Sequence, residues 1–76
     1  MRTKNIKLLA WIKNASDEAV ARTGTTRGYL RQIAYGHKTS SAEVASAVER
    51  ETSGLVTRKD LRPDDWPLIW PELAAA

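Results

Sequence analysis

The sequence contains no cysteine and a single histidine. The first absence excludes disulfides and thiolate-held metals, and a lone imidazole, His37, cannot build a multi-histidine site. The lack of cysteine also suits a reducing cytoplasm. No convergent acid pair accompanies the histidine, so nothing assembles into a catalytic centre, and neither metal nor cofactor is expected. No apolar run approaches the roughly 18 residues of a membrane span. Lys7 and Lys13 interrupt the apolar content of the first 16 residues, which therefore lack the continuous stretch of a signal peptide. Proline is withheld until the tail, where Pro63, Pro67 and Pro71 rule out one continuous helix. The 76 residues suit one small domain, residues 1–76, that buries only about 60–65% of its unfolded surface. A deep pocket and a core would compete for the same few side chains.

What is present is an uneven distribution of charge. Residues 1–38 carry eight basic and two acidic side chains, whereas residues 39–76 carry four basic and seven acidic ones. One reading is a polyanion-facing half with the other half kept off it; the other is chance clustering on a solvated surface.

Apolar spacing predicts short helices. Leu8, Leu9, Ile12 and Ala15 mark the buried stripe of a helix over about Thr3–Asn14, widened by Ile6 and Trp11. Ser16 predicts an N-cap, with Asp17 and Glu18 in the first turn of a helix that runs to about Thr23. Ala19, Val20 and Thr23 are its inward residues, and Gly24 ends it through access to positive φ. Thr25 or Thr26 caps the next helix, which continues to about Tyr35. Leu30 and Ile33 face inward beside Tyr29 or Ala34, while Arg27, Gly28, Arg31 and Gln32 face outward. Gly36 stops this helix, and "GHKTS" is a polar loop. Ser40 and Glu43 predict a capping box for a helix over about Ser41–Thr52, with Val44, Ala47 and Val48 inward and Gly54 as its stop. Leu55 and Val56 form an extended pair, and Thr57 with Asp60 starts a further turn of helix.

A two-turn helix, a tight turn at Gly24 and a longer helix with a polar outer face form the grammar of a helix-turn-helix. Ala19, five residues before Gly24, supplies the small side chain that lets two helices cross closely. Val20 is bulkier, and Thr23 more polar, than their positions favour. Leu30 and Ile33, six and nine residues after Gly24, hold the second helix against the first. The N-terminal residues of such a helix approach base edges in the DNA major groove. Thr25 and Thr26 suit a phosphate at the helix N-terminus. Arg27 suits a phosphate or the O6/N7 edge of guanine, Arg31 bidentate guanine readout, and Gln32 the N6/N7 edge of adenine. His37 and Lys38 follow the helix and suit the DNA backbone, adding affinity rather than sequence choice, with the Tyr35 hydroxyl near the same phosphates. Gly28 lies between the two arginines, where a missing side chain lets the helix approach DNA closely, at about 1 kcal/mol of helix propensity. Standing alone, Arg27 and Arg31 would be read as a solvated helix face.

The stretch "AVARTGTTRGYLRQIAYGHKTSS" resembles the Cro/CI-type helix-turn-helix of phage and prophage repressors. It is most similar to the YdaS-type branch, Cro-like regulators known as antitoxins, and "VTRKDLRPDDW" is similar to that branch's short C-terminal signature. The resemblance covers about residues 8–66. It implies a λ repressor-like fold: a compact, all-α bundle of about five short helices. It further implies a cytoplasmic, nucleoid-associated repressor that binds double-stranded operator DNA, as a homodimer on an inverted repeat. A second reading makes the chain an interaction module whose tail neutralises a toxin partner.

The tail is dense in apolar side chains: Trp66, Leu68, Ile69, Trp70 and Leu73. They either complete a small core or make a dimer contact. Trp66 is expected in the core and Leu68, Ile69 and Trp70 partly at an interface. Asp64, Asp65 and Glu72 would keep this end off DNA, and Ala74–Ala76 are expected to fray.

Overall fold

Seven helices are present in the computed structural model, which describes residues 4–74. They are α1 (Ile6–Asn14), α2 (Asp17–Arg22), α3 (Arg27–Ala34), α4 (Ala42–Glu51), α5 (Arg58–Leu61), α6 (Trp66–Ile69) and α7 (Pro71–Ala74). Among the described residues there is no strand and no helix long and apolar enough to cross a membrane. The expected five helices become seven because the proline-rich tail folds as two single turns, with Pro67 in the first turn of α6 and Pro71 opening α7.

Side-chain caps decide where the chain turns helical. Asn5, Ser16, Thr26, Ser41 and Thr57 each accept a hydrogen bond from the backbone N–H three residues on, starting α1 to α5 in turn. Each such cap contributes about 1 kcal/mol. Three of them refine the sequence reading. Asn5 starts α1 at Ile6, later than expected; Thr3 lies outside the described residues. Thr26, not Thr25, caps α3. For α4 the cap is Ser41 rather than Ser40. Ser40 is fully buried and its carbonyl accepts from Arg62, so it belongs to the core and cannot serve the helix entrance. The Thr57–Asp60 box forms in both directions, at 3.0 and 3.2 Å. At the end of α4 the first left-handed residue is Ser53 (φ 55°), followed by Gly54 (φ 84°). Their N–H groups donate to the carbonyls of Arg50 and Glu49, two of the acceptors that the helix leaves free.

One apolar cluster runs through the bundle. Leu8 and Ile12 of α1, Val20 of α2, Leu30, Ile33 and Ala34 of α3, and Ala45 and Val48 of α4 meet Val56, Leu61 and Trp70 from the C-terminal part. Ile6, expected to widen the α1 stripe, is instead 70% exposed. Ala45 rather than Val44 lies fully inside α4's face, and Val44 packs at its margin. Thr23 is buried despite its polarity because its hydroxyl donates to the Val20 carbonyl at 2.6 Å.

The stretch after α4 ties the tail to this cluster. Val56 and Leu61 fill the core. The Arg58 N–H and guanidinium both donate to the Glu49 carboxylate, at 2.9 and 3.1 Å, and the guanidinium lies 5.3 Å from the centre of the Trp70 ring. The Lys59 ammonium stands 4.5 Å from the Trp66 ring. The assignment of the two tryptophans therefore reverses. Trp70, expected at an interface, is 9% exposed and part of the core, and Trp66, expected in the core, is half-buried at its edge. One turn of helix puts residues 66, 69 and 70 on one face and residue 68 on the other. Ile69 accordingly packs against the cluster, and Leu68 is 85% exposed. Ala74 closes α7, while Ala75 and Ala76 lie outside the described residues.

A charged clasp joins α2 to α4. Hydrogen bonds from Arg22 (2.9 Å) and then Arg50 (3.1 Å) hold the Glu51 carboxyl below its ordinary value of 4.5. A depressed carboxyl binds its proton more readily in the unfolded chain. The clasp therefore stabilises the fold above the ordinary carboxylate value and ceases to do so as pH falls through the lower folded one. Glu51→Gln should lower the urea midpoint at neutral pH and flatten its decline on the acid side. An acid limb as steep as that of the parent chain would show that the clasp does not link stability to pH.

Candidate nucleic-acid interface

The α2–α3 connection is four residues, Thr23 to Thr26. Gly24 takes φ 84° there, and a Cβ on it would meet nothing within 4 Å. The backbone conformation, not crowding, requires glycine at this turn. Beyond it α3 divides into two faces, with Tyr29, 37% exposed, at their boundary. Leu30, Ile33 and Ala34 are buried, and Gly28, Arg31, Gln32 and Tyr35 are exposed. The exposed four follow the i, i+3, i+4, i+7 spacing of a single helix face.

Arg27 is not on that face. Its guanidinium donates to the Ile12 carbonyl, to the Ala15 carbonyl at 3.2 Å and to the Asp17 carboxylate at 2.8 Å. Ile12 belongs to the last turn of α1, whose free carbonyls carry the negative end of the helix dipole. Arg27 therefore clamps the start of α3 onto the α1–α2 corner. The outward placement expected for it fails because its partners lie ten to fifteen residues upstream, where helical spacing alone cannot see them.

Four more of the described arginines are held in the same way. Arg22 and Arg50 hold Glu51, and Arg50 also donates to the Arg22 carbonyl at 3.0 Å. Arg58 holds Glu49, and Arg62 holds Asp65 at 2.6 Å. That leaves Arg31 as the one arginine among the described residues with no carboxylate partner. The uneven charge of the sequence thus resolves into a C-terminal part whose arginines are all paired and an unpaired arginine on α3.

The remaining expected residues gather around α3. The Thr26 hydroxyl accepts from the Tyr29 N–H at 3.1 Å, which leaves its hydrogen available to a phosphate. Thr25 is half-buried just before it. At the far end the His37 and Lys38 N–H groups both donate to the Gln32 carbonyl, at 2.9 and 3.3 Å, and fold the loop back beside the helix. Both side chains are exposed, with the His37 ring 6.3 Å from that of Tyr35. Tyr35 itself is 48% exposed. Leu68, Ile69 and Trp70 belong to the tail rather than to this surface.

Two lysines that the sequence reading passed over also stand here. The Lys4 ammonium lies 5.7 Å from the centre of the Tyr35 ring, and Lys13 borders the furrow that Arg31 and Tyr35 also line. Their only local signal is that Lys13 falls off the apolar stripe. Their closeness to α3 depends on long-range pairing: the Asn5 N–H donates to the Ala34 carbonyl at 2.7 Å, while Arg27 reaches Ile12 at the other end. The two helices therefore run antiparallel.

A short helix, a glycine turn and a second helix with one polar face, seated on a small helical core, define a bundle of the helix-turn-helix type. The chain belongs to the family described as bacterial toxin YdaS, whose profile matches residues 11–69. It is also similar to a prophage transcriptional regulatory protein of Escherichia coli (strain K12). The two are 42% identical over 55 residues, covering 72% of this chain and 83% of the relative. The family description speaks of a toxin, where the resemblance read from the sequence implied an antitoxin; the relative's name speaks of transcription.

Proposed function

We propose that the chain is a sequence-specific DNA-binding regulator of phage or prophage transcription, a Cro-like repressor that occupies operator DNA with α3 in the major groove. The carrying observation is Arg31: exposed on the polar face of α3, and alone among the described arginines in having no internal carboxylate. An arginine kept unpaired beside an exposed glutamine offers two side chains that read guanine and adenine edges. The relative's role in prophage transcription supports the reading. Thr26, Tyr35, His37 and Lys38 are assigned to phosphates, with Thr25 behind them. Arg27 is assigned to holding α3 rather than to touching DNA. Selection of bound sequences from a random DNA pool tests the proposal: enrichment of an inverted repeat, with half-sites about one helical turn apart, is expected. No enrichment at all would overturn it.

Gly28 offers a separate check. A Cβ there would meet nothing within 4 Å, so packing does not demand glycine. Gly28→Ala should stabilise the fold by roughly 0.5–1 kcal/mol through helix propensity while weakening operator binding. Stability and affinity rising together would remove close approach to DNA as the reason for this glycine.

A dimer on the repeat needs a contact of its own, and Leu68 is the tail side chain we assign to it, being 85% exposed where Ile69 and Trp70 pack inward. The same burial leaves little of the tail for the alternative in which it captures a toxin partner.

A further inference from the structure

We propose that the furrow between α1 and α3 seats the sugar–phosphate strand beside the groove that α3 reads, with Lys13 as its phosphate ligand. The inference rests on the DNA-binding reading above and extends the contact surface to a helix outside the helix-turn-helix. The furrow measures about 480 Å³. Leu9 and Ile12 lie along its α1 side, Lys13 stands on the same helix, and Arg31 and Tyr35 border it from α3. Such a lining suits a sugar–phosphate chain, which presents apolar sugar carbons beside anionic oxygens. Of the three cations that line the furrow, Arg27 is paired with Asp17 and the other two are uncompensated. Neither Lys13 nor Arg31 has a carboxylate partner among the described residues, and the nearest acid in sequence, Asp17, is held by Arg27. The furrow is also continuous with the proposed reading face, because Arg31 and Tyr35 belong to both.

The occupant is therefore the DNA backbone rather than a free small anion. A duplex placed on Gly28, Arg31 and Gln32 brings its flanking strand to this side of α3, and Lys13 meets it from α1. Lys13 would act on all sequences alike, since a phosphate carries no base identity.

The test compares Lys13→Ala with Lys7→Ala, an equal charge loss on the same helix at a residue that does not line the furrow. Affinity for operator and for random DNA is measured across a range of salt. Lys13→Ala should weaken both to the same degree and reduce the slope of log affinity against log salt by about 0.9, the release of one counterion. Lys7→Ala should leave the slope as it is. Ethylation of single phosphates should further identify one position that impairs binding of the parent chain but not of Lys13→Ala. Equal slopes for the two variants, or no such phosphate, would overturn the seat while leaving operator recognition intact. A parent chain that binds no DNA at all would instead overturn the DNA reading, and the seat with it. Circular dichroism of both variants should match the parent, since both lysines are exposed.

Discussion

Trp70→Ala should cost about 3–5 kcal/mol, the range for removing a large buried aromatic, and should lower the melting temperature by 15 °C or more. A domain of this length has a total stability of only about 4–11 kcal/mol, so the variant approaches the point of unfolding at ordinary temperature. The size of the effect follows from what the ring touches. Trp70 is 9% exposed within the main cluster, and the Arg58 guanidinium packs 5.3 Å from its centre. Removing the indole opens a void in the core and takes away the surface on which Arg58 lies while it holds Glu49. Leu68→Ala, two residues away and 85% exposed, should change stability by less than about 0.5 kcal/mol. Thermal melts of the two variants side by side give the answer. A Trp70→Ala protein melting within a few degrees of the parent would mean that the tail is not part of the folding unit, and would return Trp70 to the interface role that its sequence neighbourhood suggested.

That reversal shows which parts of the molecule local sequence carries. Helix starts are legible because a cap and its partner lie three residues apart: Ser16 and Thr57 could each be named from spacing alone, and the α3 cap narrowed to Thr25 or Thr26. The inward residues Leu8, Ile12, Leu30 and Ile33 follow from helical periodicity, and Gly24 from the conformation a tight turn needs. Spacing points to Ser40 because Glu43 lies three residues on, yet Ser41 is the cap, and the choice is made by burial of Ser40 under Arg62. Trp66 and Trp70 are ranked the wrong way round from sequence, because a proline-bounded turn has no periodicity to read. The arginines were least legible of all. An arginine's charge does not say whether it meets a carbonyl fifteen residues back, as Arg27 does, or no hydrogen-bond or ion-pair partner among the described residues, as Arg31 does.

Arg31→Ala should sharply reduce the preference for operator over random DNA while leaving the fold unchanged. A bidentate contact to guanine discriminates by about 1–3 kcal/mol, so operator affinity should fall by roughly 5–150-fold. Random DNA should lose only the smaller effect of one less positive charge. Melting should be unaffected, since the Arg31 side chain makes no hydrogen bond or ion pair within the described residues. Arg27→Ala is the informative contrast. It frees the carbonyls of Ile12 and Ala15 and the Asp17 carboxylate together. Charge-assisted hydrogen bonds are individually worth about 1.5–3 kcal/mol, less where water reaches them, so Arg27→Ala should destabilise the domain by about 1–2 kcal/mol. Operator and random DNA should both bind less well to it, because α3 loses its anchor and with it the fixed angle at which its face meets the duplex. Arg27→Lys should recover only part of this, since one ammonium cannot fork between carbonyls and a carboxylate as a guanidinium does. The two arginines are four residues apart and indistinguishable by charge. If Arg31→Ala instead melts early and keeps its specificity, while Arg27→Ala stays stable and loses it, the roles assigned to them are interchanged and the reading face must be moved towards the start of α3.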